Sequence, residues 1–227
     1  MESKKHSGHR SRVKSKILEN GLNGFLDYEI LEALLFYTIP RKDTKEIAKE
    51  LLMEFKTLEK VLAVSKDEIL SLKIKGINEN TYIYFKFLND LNKKLYKEKF
   101  SEETILNSVE ATYDYLKSSI GLLEKEVFKI IFLSANNKYL GDEIIFLGTI
   151  DRSQIYPREI VKSVLKYNAK SVIFSHNHPS GNPKPSQADL EMTKKLKKIL
   201  EPLEVRVLDH IIITPEKYYS FLEEGII

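Results

Sequence analysis

Apolar residues recur at helical spacing through the first part of the chain, from residue 17 to about 96. Leu31, Leu34 and Leu35 follow Asp27, and Ile47, Ala48, Leu51, Leu52 and Phe55 follow Thr44. Positions three and four apart share one face of a helix, and a polar residue before such a run marks its start. Ser65 and Glu68 have capping-box spacing ahead of Ile69, Leu70 and Leu72. The run Lys-Ile-Lys-Gly-Ile-Asn at 73–78 breaks the pattern, which resumes over 79–91. Residues 93–103, rich in Lys and Glu, read as a linker, and residues 1–15 as a basic flexible arm.

Past about residue 105 the pattern becomes mixed. A helix is expected over 109–116, and apolar runs at 127–134 and 143–147, separated by a turn-forming stretch, predict two antiparallel strands. Pro157 suits the first position of a helix reaching about 167. A short buried strand at 170–175, a helix over 186–200 and a strand over 204–213 complete the reading. The expected fold class is α/β (α+β), a sheet flanked by helices behind a small all-helical domain. The domain reading is an arm at 1–15, a helical domain at 16–100 and a second domain at 101–227.

Composition narrows the setting. At 227 residues, 42% hydrophobic and 30% charged, this is an ordinary globular chain. No apolar run approaches the roughly 18 residues of a membrane span, and the polar first residues lack the apolar core of a secretory signal. The absence of cysteine excludes disulfides and thiolate metal sites and fits a cytoplasmic protein. The net charge of +3 does not demand a nucleic-acid partner, although the first 16 residues hold six Lys or Arg against one Glu. A solvated tail is the plainer reading of that charge.

The candidate chemistry lies in one loop. His176 and His178 follow the apolar strand, and residues i and i+2 of an extended segment point to the same side. Both imidazoles can therefore reach one ion, and Asp189, in the first turn of the next helix, can close on it. Two His and a carboxylate with water in the fourth place is a common catalytic Zn²⁺ site. Ser186 and Asp189 also have capping-box spacing, and the two roles are compatible. A hydrolase of this kind needs a general base near the water, and Glu124 and Glu126 share a face just before the first strand. Without the histidine loop both would pass as solvated charges. His210 sits inside a strand pattern, where a lone His is more often structural or beside a ligand than a ligand itself; Asp209 is a candidate to orient a ligand His. His6 and His9 read as solvated, and Lys194, Lys195, Lys197 and Lys198 as an exposed helix face.

The spacing His-x-His, seven residues, Ser, two residues, Asp resembles the JAMM (MPN+) metalloprotease motif. Its context "SHNHPSGNPKPSQAD", with the segments at 148–181 and 207–214, resembles the RadC family. That resemblance implies an MPN-type sheet flanked by helices and one Zn²⁺ per chain held by His176, His178 and Asp189. It also implies Glu126 as the general base, Ser186 as the oxyanion donor, and a peptide or isopeptide-linked protein as substrate. The break at 74–78 resembles a helix-hairpin-helix module, with Asn78 where a second glycine is usual and Tyr82 where a small residue often packs. An alternative function follows: a DNA-associated accessory protein in repair or recombination, touching DNA weakly through residues 65–91 and the basic arm, with an incidental metal. A two-metal nuclease lacks a second ligand cluster.

Overall fold

The helical spacing of the first half does form helices. In chain order they are α1 (Ser3–Asn20), α2 (Asp27–Thr38), α3 (Lys45–Phe55), α4 (Leu58–Ala63), α5 (Lys66–Ser71) and α6 (Glu79–Glu102). The structure, a computed structural model, describes residues 3–40, 42–102, 109–147 and 157–227. The chain divides into two units, Met1–Leu91 and Asn92–Ile227. In the first unit Leu31, Leu35, Ala48, Leu51, Val61, Ile69 and Phe85 meet in one core. The Ser65 box forms as read: Glu68 N–H donates to Ser65 Oγ at 3.3 Å, and Ser65 N–H donates to the Glu68 carboxylate at 2.9 Å.

Three expectations are corrected here. From Ser3 on, the stretch read as a flexible arm lies in α1. His9, read as solvated, has Nε2 2.8 Å from the Glu32 carboxylate. Arg10 donates to the Ile39 carbonyl at 2.7 Å and lies 4.6 Å from the centre of the Phe36 ring. These anchors are polar and cation–π contacts, so apolar periodicity could not report them. The stretch read as a linker forms, up to Glu102, the second half of α6. Lys, Glu and Leu are good helix formers, and Lys94 and Glu98 pair at i,i+4. At the hairpin, Lys73 and Gly76 take the positive-φ positions. Asn78 does not; its Oδ1 accepts the Thr81 N–H at 3.2 Å and caps α6.

The second unit holds a five-stranded sheet of β1 (Val127–Leu133), β2 (Tyr139–Leu147), β3 (Ser171–Asn177), β4 (Arg206–Ile213) and β5 (Tyr218–Ser220). Their order is β2-β1-β3-β4-β5. β1 pairs antiparallel with β2 and β3, β3 parallel with β4, and β4 antiparallel with β5. Around the sheet lie α7 (Val109–Leu116), a π-helical turn (Lys117–Gly121), α8 (Pro157–Lys166) and α9 (Gln187–Leu200). All of β1 and β3 is buried, because both faces of the central strands are covered. Phe128, Ile130, Phe132, Val172 and Phe174 pack on Ile160 and Val164 of α8 and Leu196 and Leu200 of α9. On the opposite face Ile131, Leu133, Ile173 and Ile211 meet Phe100, Tyr115 and Leu116. This is the expected α+β sheet flanked by helices. Residues 148–156, which open the 148–181 segment, lie outside the described residues. Among the described residues no helix is long and apolar enough to cross a membrane.

Two departures from strict alternation matter. In β4, Val207 pairs with Val172 but Asp209 pairs with Ile173, so one extra residue interrupts the ladder. A single-residue bulge reverses which face later side chains occupy. It sets His210 opposite Phe174, and its ring contacts those of Phe128 and Phe174. In β1, Lys129 is only 3% exposed and bonds Asp142 at 2.6 Å. Burial lowers the Lys129 pKa. Burial pushes Asp142 up, but Lys129 and the hydroxyls of Tyr139 and Tyr115 outweigh it and hold the carboxyl well below its usual range. Lys97 joins them, donating to Asp142 at 3.0 Å.

Removing one member leaves the other charge buried and unpaired. Asp142→Ala is expected to cost about 3–5 kcal/mol in urea unfolding, whereas Lys129→Met with Asp142→Leu recovers most of that loss.

Candidate metal centre

β3 runs without interruption into the histidine loop. His176 is its penultimate residue and is fully buried; His178 lies just past its end, with its backbone N–H donating to the Ile213 carbonyl at 2.8 Å. The loop then turns through Gly181 (φ +80°), a conformation that side chains with a Cβ rarely adopt. α9 starts at Gln187 with Ser186 as its cap. Ser186 Oγ and N–H both donate to Asp189 Oδ2, at 2.5 and 2.7 Å, and Asp189 N–H returns a 3.3 Å bond to Ser186 Oγ. The cap and the candidate ligand are therefore one unit, with the Asp189 side chain held in the first turn.

The structure brings the predicted ligands together. One ligand atom each from His176, His178 and Asp189 lies within 4.8 Å of the others. The two Nε2 atoms are 3.0 Å apart, and Asp189 oxygens sit 3.6 Å from His176 Nε2 and 3.8 Å from His178 Nε2. His178 Nδ1 is 2.7 Å from the Asn182 carbonyl. That oxygen can only accept, so Nδ1 carries the proton and Nε2 of the neutral ring offers its lone pair to the cluster. Two imidazole nitrogens and a carboxylate oxygen, nearly buried, form a donor set that suits a divalent transition metal.

Glu126 belongs to the same place. It directly precedes β1, and the register that pairs Phe128 with His176, carried two residues further, sets it opposite His178. Glu126, His178, Ser186 and Asp189 line one cavity of about 360 Å³, together with Ser180, Asn182 and Lys184. Glu124 is exposed and does not line it.

Asn177, between the two histidines, escaped the sequence reading. Its side chain is fully buried: Oδ1 accepts the Val127 N–H at 2.7 Å, and Nδ2 donates to the carbonyls of Leu123 and Lys125 at 2.9 and 3.1 Å. It binds the segment carrying Glu126 to the loop carrying the histidines. The only sequence signal was a polar residue inside an otherwise ligand-bearing stretch. Thr193 was also missed as a neighbour of the site, whereas His210, read as structural or beside a ligand, lies beside His176. His210 Nε2 lies 2.8 Å from His176 Nδ1, and His210 Nδ1 lies 2.6 Å from Thr193 Oγ1. Asp209, considered as an orienting carboxylate, instead accepts from Ser220 Oγ at 2.6 Å and Leu222 N–H at 2.9 Å. Lys194, Lys195, Lys197 and Lys198 are exposed, as read.

Burial pushes the His176 pKa down to about 4, with His178 adding to the fall and Asp189 opposing it; burial likewise holds His210 well below its ordinary 6.5. Both rings are neutral at pH 7, as ligation requires.

The chain matches the model of the RadC-like JAB domain over residues 106–226. A UPF0758 protein of Fusobacterium nucleatum subsp. nucleatum is 43% identical over 234 residues, covering 100% of both chains. A UPF0758 protein of Pseudoalteromonas translucida is 39% identical over 216 residues, covering 95% of this chain and 96% of its own.

The pKa shifts carry a sign. On acidification the unfolded chain takes up protons at about 6.5, before the folded chain does at about 4, so stability falls with pH across that interval. For His176 alone the loss is about 3 kcal/mol. Urea midpoints of metal-free protein should decline through this window, and a flat profile contradicts the burial argument.

Proposed function

The chain belongs to the RadC family, and on that basis we propose that it is a zinc-dependent hydrolase of amide or isopeptide bonds. The observation that supports this reading is the cluster of His176, His178 and Asp189 at the wall of a cavity that Glu126 lines together with His178 and Asp189. When bound there, Zn²⁺ supplies a Lewis acid and makes a nucleophilic water available near neutral pH. His176 and His178 offer neutral nitrogens, and Asp189 offers a carboxylate oxygen.

Glu126 takes the proton of the attacking water and returns it to the leaving nitrogen. Asn177 keeps the Glu126 segment beside the histidine loop, so base and ligands move as one piece. Ser186 turns its hydroxyl from Asp189 toward the oxygen on which negative charge develops; its backbone N–H remains on the Asp189 carboxylate, so the helix cap survives. Ser180, Asn182 and Lys184 give the cavity wall hydrogen-bonding groups for a peptide backbone. Arg10 of α1 is engaged by the Ile39 carbonyl and the Phe36 ring; duplex-DNA affinity and its fall with salt test the DNA-associated alternative.

Metal content and turnover on a panel of peptide and isopeptide substrates test the proposal. Wild type is expected to hold about one zinc per chain, and His178→Ala to lose it. Glu126→Ala should keep the metal and lose hydrolysis by about 10²-fold or more. Hydrolysis retained in Glu126→Ala moves the base to Glu124, and a wild type that takes up no zinc removes the hydrolase reading.

A further inference from the structure

A histidine offers a lone pair at Nε2 only if its proton sits on Nδ1, and the neutral ring is free to place it on either nitrogen. For His178 the Asn182 carbonyl settles this. His176 has no such carbonyl at Nδ1; its partner there is another imidazole, His210 Nε2 at 2.8 Å. A histidine partner accepts or donates according to its own tautomer, so this contact alone decides nothing.

The decision lies one step further out. Thr193 Oγ1 is 2.6 Å from the Asp189 backbone carbonyl, one helical turn back in α9. A carbonyl can only accept, so the single hydroxyl hydrogen of Thr193 is committed to it. Thr193 Oγ1, 2.6 Å from His210 Nδ1, must then accept, and His210 carries its proton on Nδ1. Its Nε2 is thus bare and accepts from His176 Nδ1–H. His176 Nε2 is left with its lone pair directed at His178 Nε2 and Asp189. The four groups are buried: Thr193 is 4% exposed, Asp189 5%, and both histidines 0%. Water is therefore kept from substituting for a link. The chain ends as two bare nitrogens 3.0 Å apart beside a carboxylate, an arrangement that needs a cation between them.

We propose that Thr193 and His210 are positioning residues which hold His176 in its metal-binding tautomer, through a one-way hydrogen-bond chain from the Asp189 carbonyl to His176 Nδ1. Asp189 thereby contributes twice, its carboxylate as a ligand and its backbone carbonyl as the fixed end of the chain. The relay rests on His176 being a metal ligand, as under the proposed function. The bulge in β4 is what brings His210 to this face, and the rings of Phe128, Phe174 and Phe221 hold it there.

The test uses full-length ¹⁵N-labelled protein, stripped of metal, at mildly alkaline pH. Long-range ¹H–¹⁵N spectra report which ring nitrogen of His176 carries the proton, and competition with a chromogenic chelator reports zinc affinity. Wild-type His176 is expected to be protonated on Nδ1. His210→Phe keeps the ring shape but removes the acceptor; it should shift His176 toward the Nε2–H form and weaken zinc binding by about 10- to 100-fold. His210→Gln, whose carbonyl can accept from Nδ1–H, should restore much of both. Thr193→Val, nearly isosteric, should give a mixed His176 population and a smaller loss, and it decides the matter if His210→Phe does not fold. A wild-type His176 protonated on Nε2 with a bare Nδ1 overturns the relay. So does a folded His210→Phe with unchanged tautomer and affinity. The tautomer is read without metal, so failure of the wild type to bind zinc sinks the hydrolase reading while the relay is still judged.

Discussion

The antiparallel pairing of β1 with β3 is the constraint on which the rest of the second unit depends. Both strands lie inside the sheet, and each places apolar side chains on both faces. Slipping the register by one residue would turn every one of these side chains to the wrong layer. The register that satisfies the core also sets Phe128 opposite His176, and with it the segment bearing Glu126 beside the histidine loop. The site therefore inherits its geometry from the packing of the sheet. Asn177 reinforces the join where the ladder ends, by replacing missing ladder bonds with three side-chain bonds of its own.

Buried polar groups occur on both faces of this sheet but are handled differently. On one face Lys129 and Asp142 are charged partners, surrounded by hydroxyl donors and a second lysine. On the other, His176 and His210 are kept neutral by burial, and their hydrogen bonds run toward the Asp189 carbonyl. The first arrangement is closed on itself. The second leaves lone pairs converging at one end, which is how a site for a cation differs from a structural polar cluster.

How much of this was legible varied with the kind of interaction. The helices around Leu31, Leu51 and Ile69 and the strand ahead of His176 were readable because their apolar periods are local. The candidate ligands His176, His178 and Asp189, with the Ser186 cap, were readable because they lie within one short stretch, and their spacing matches a strand end followed by a helix start. α1 and the second half of α6 were not. α1 is anchored by Arg10 and His9, and the far end of α6 carries Phe100, whose partners Tyr115 and Tyr139 are distant in the chain. Composition alone made the first look like a solvated arm and the second like a linker.

By itself, then, the sequence determined the fold class, the place of the candidate metal ligands and the coupling of the Ser186 cap to Asp189. All of these follow from spacings of a few residues, which backbone geometry converts directly into shared faces. Tertiary structure decided the rest. The choice of Glu126 over Glu124 as a cavity residue depends on a strand register fixed across about 50 residues of chain. The direction in which His210 points depends on one extra residue in β4, which strict alternation would misplace. The link from Thr193 to His210 joins a helix to a strand, and only three-dimensional packing brings those elements within hydrogen-bond reach.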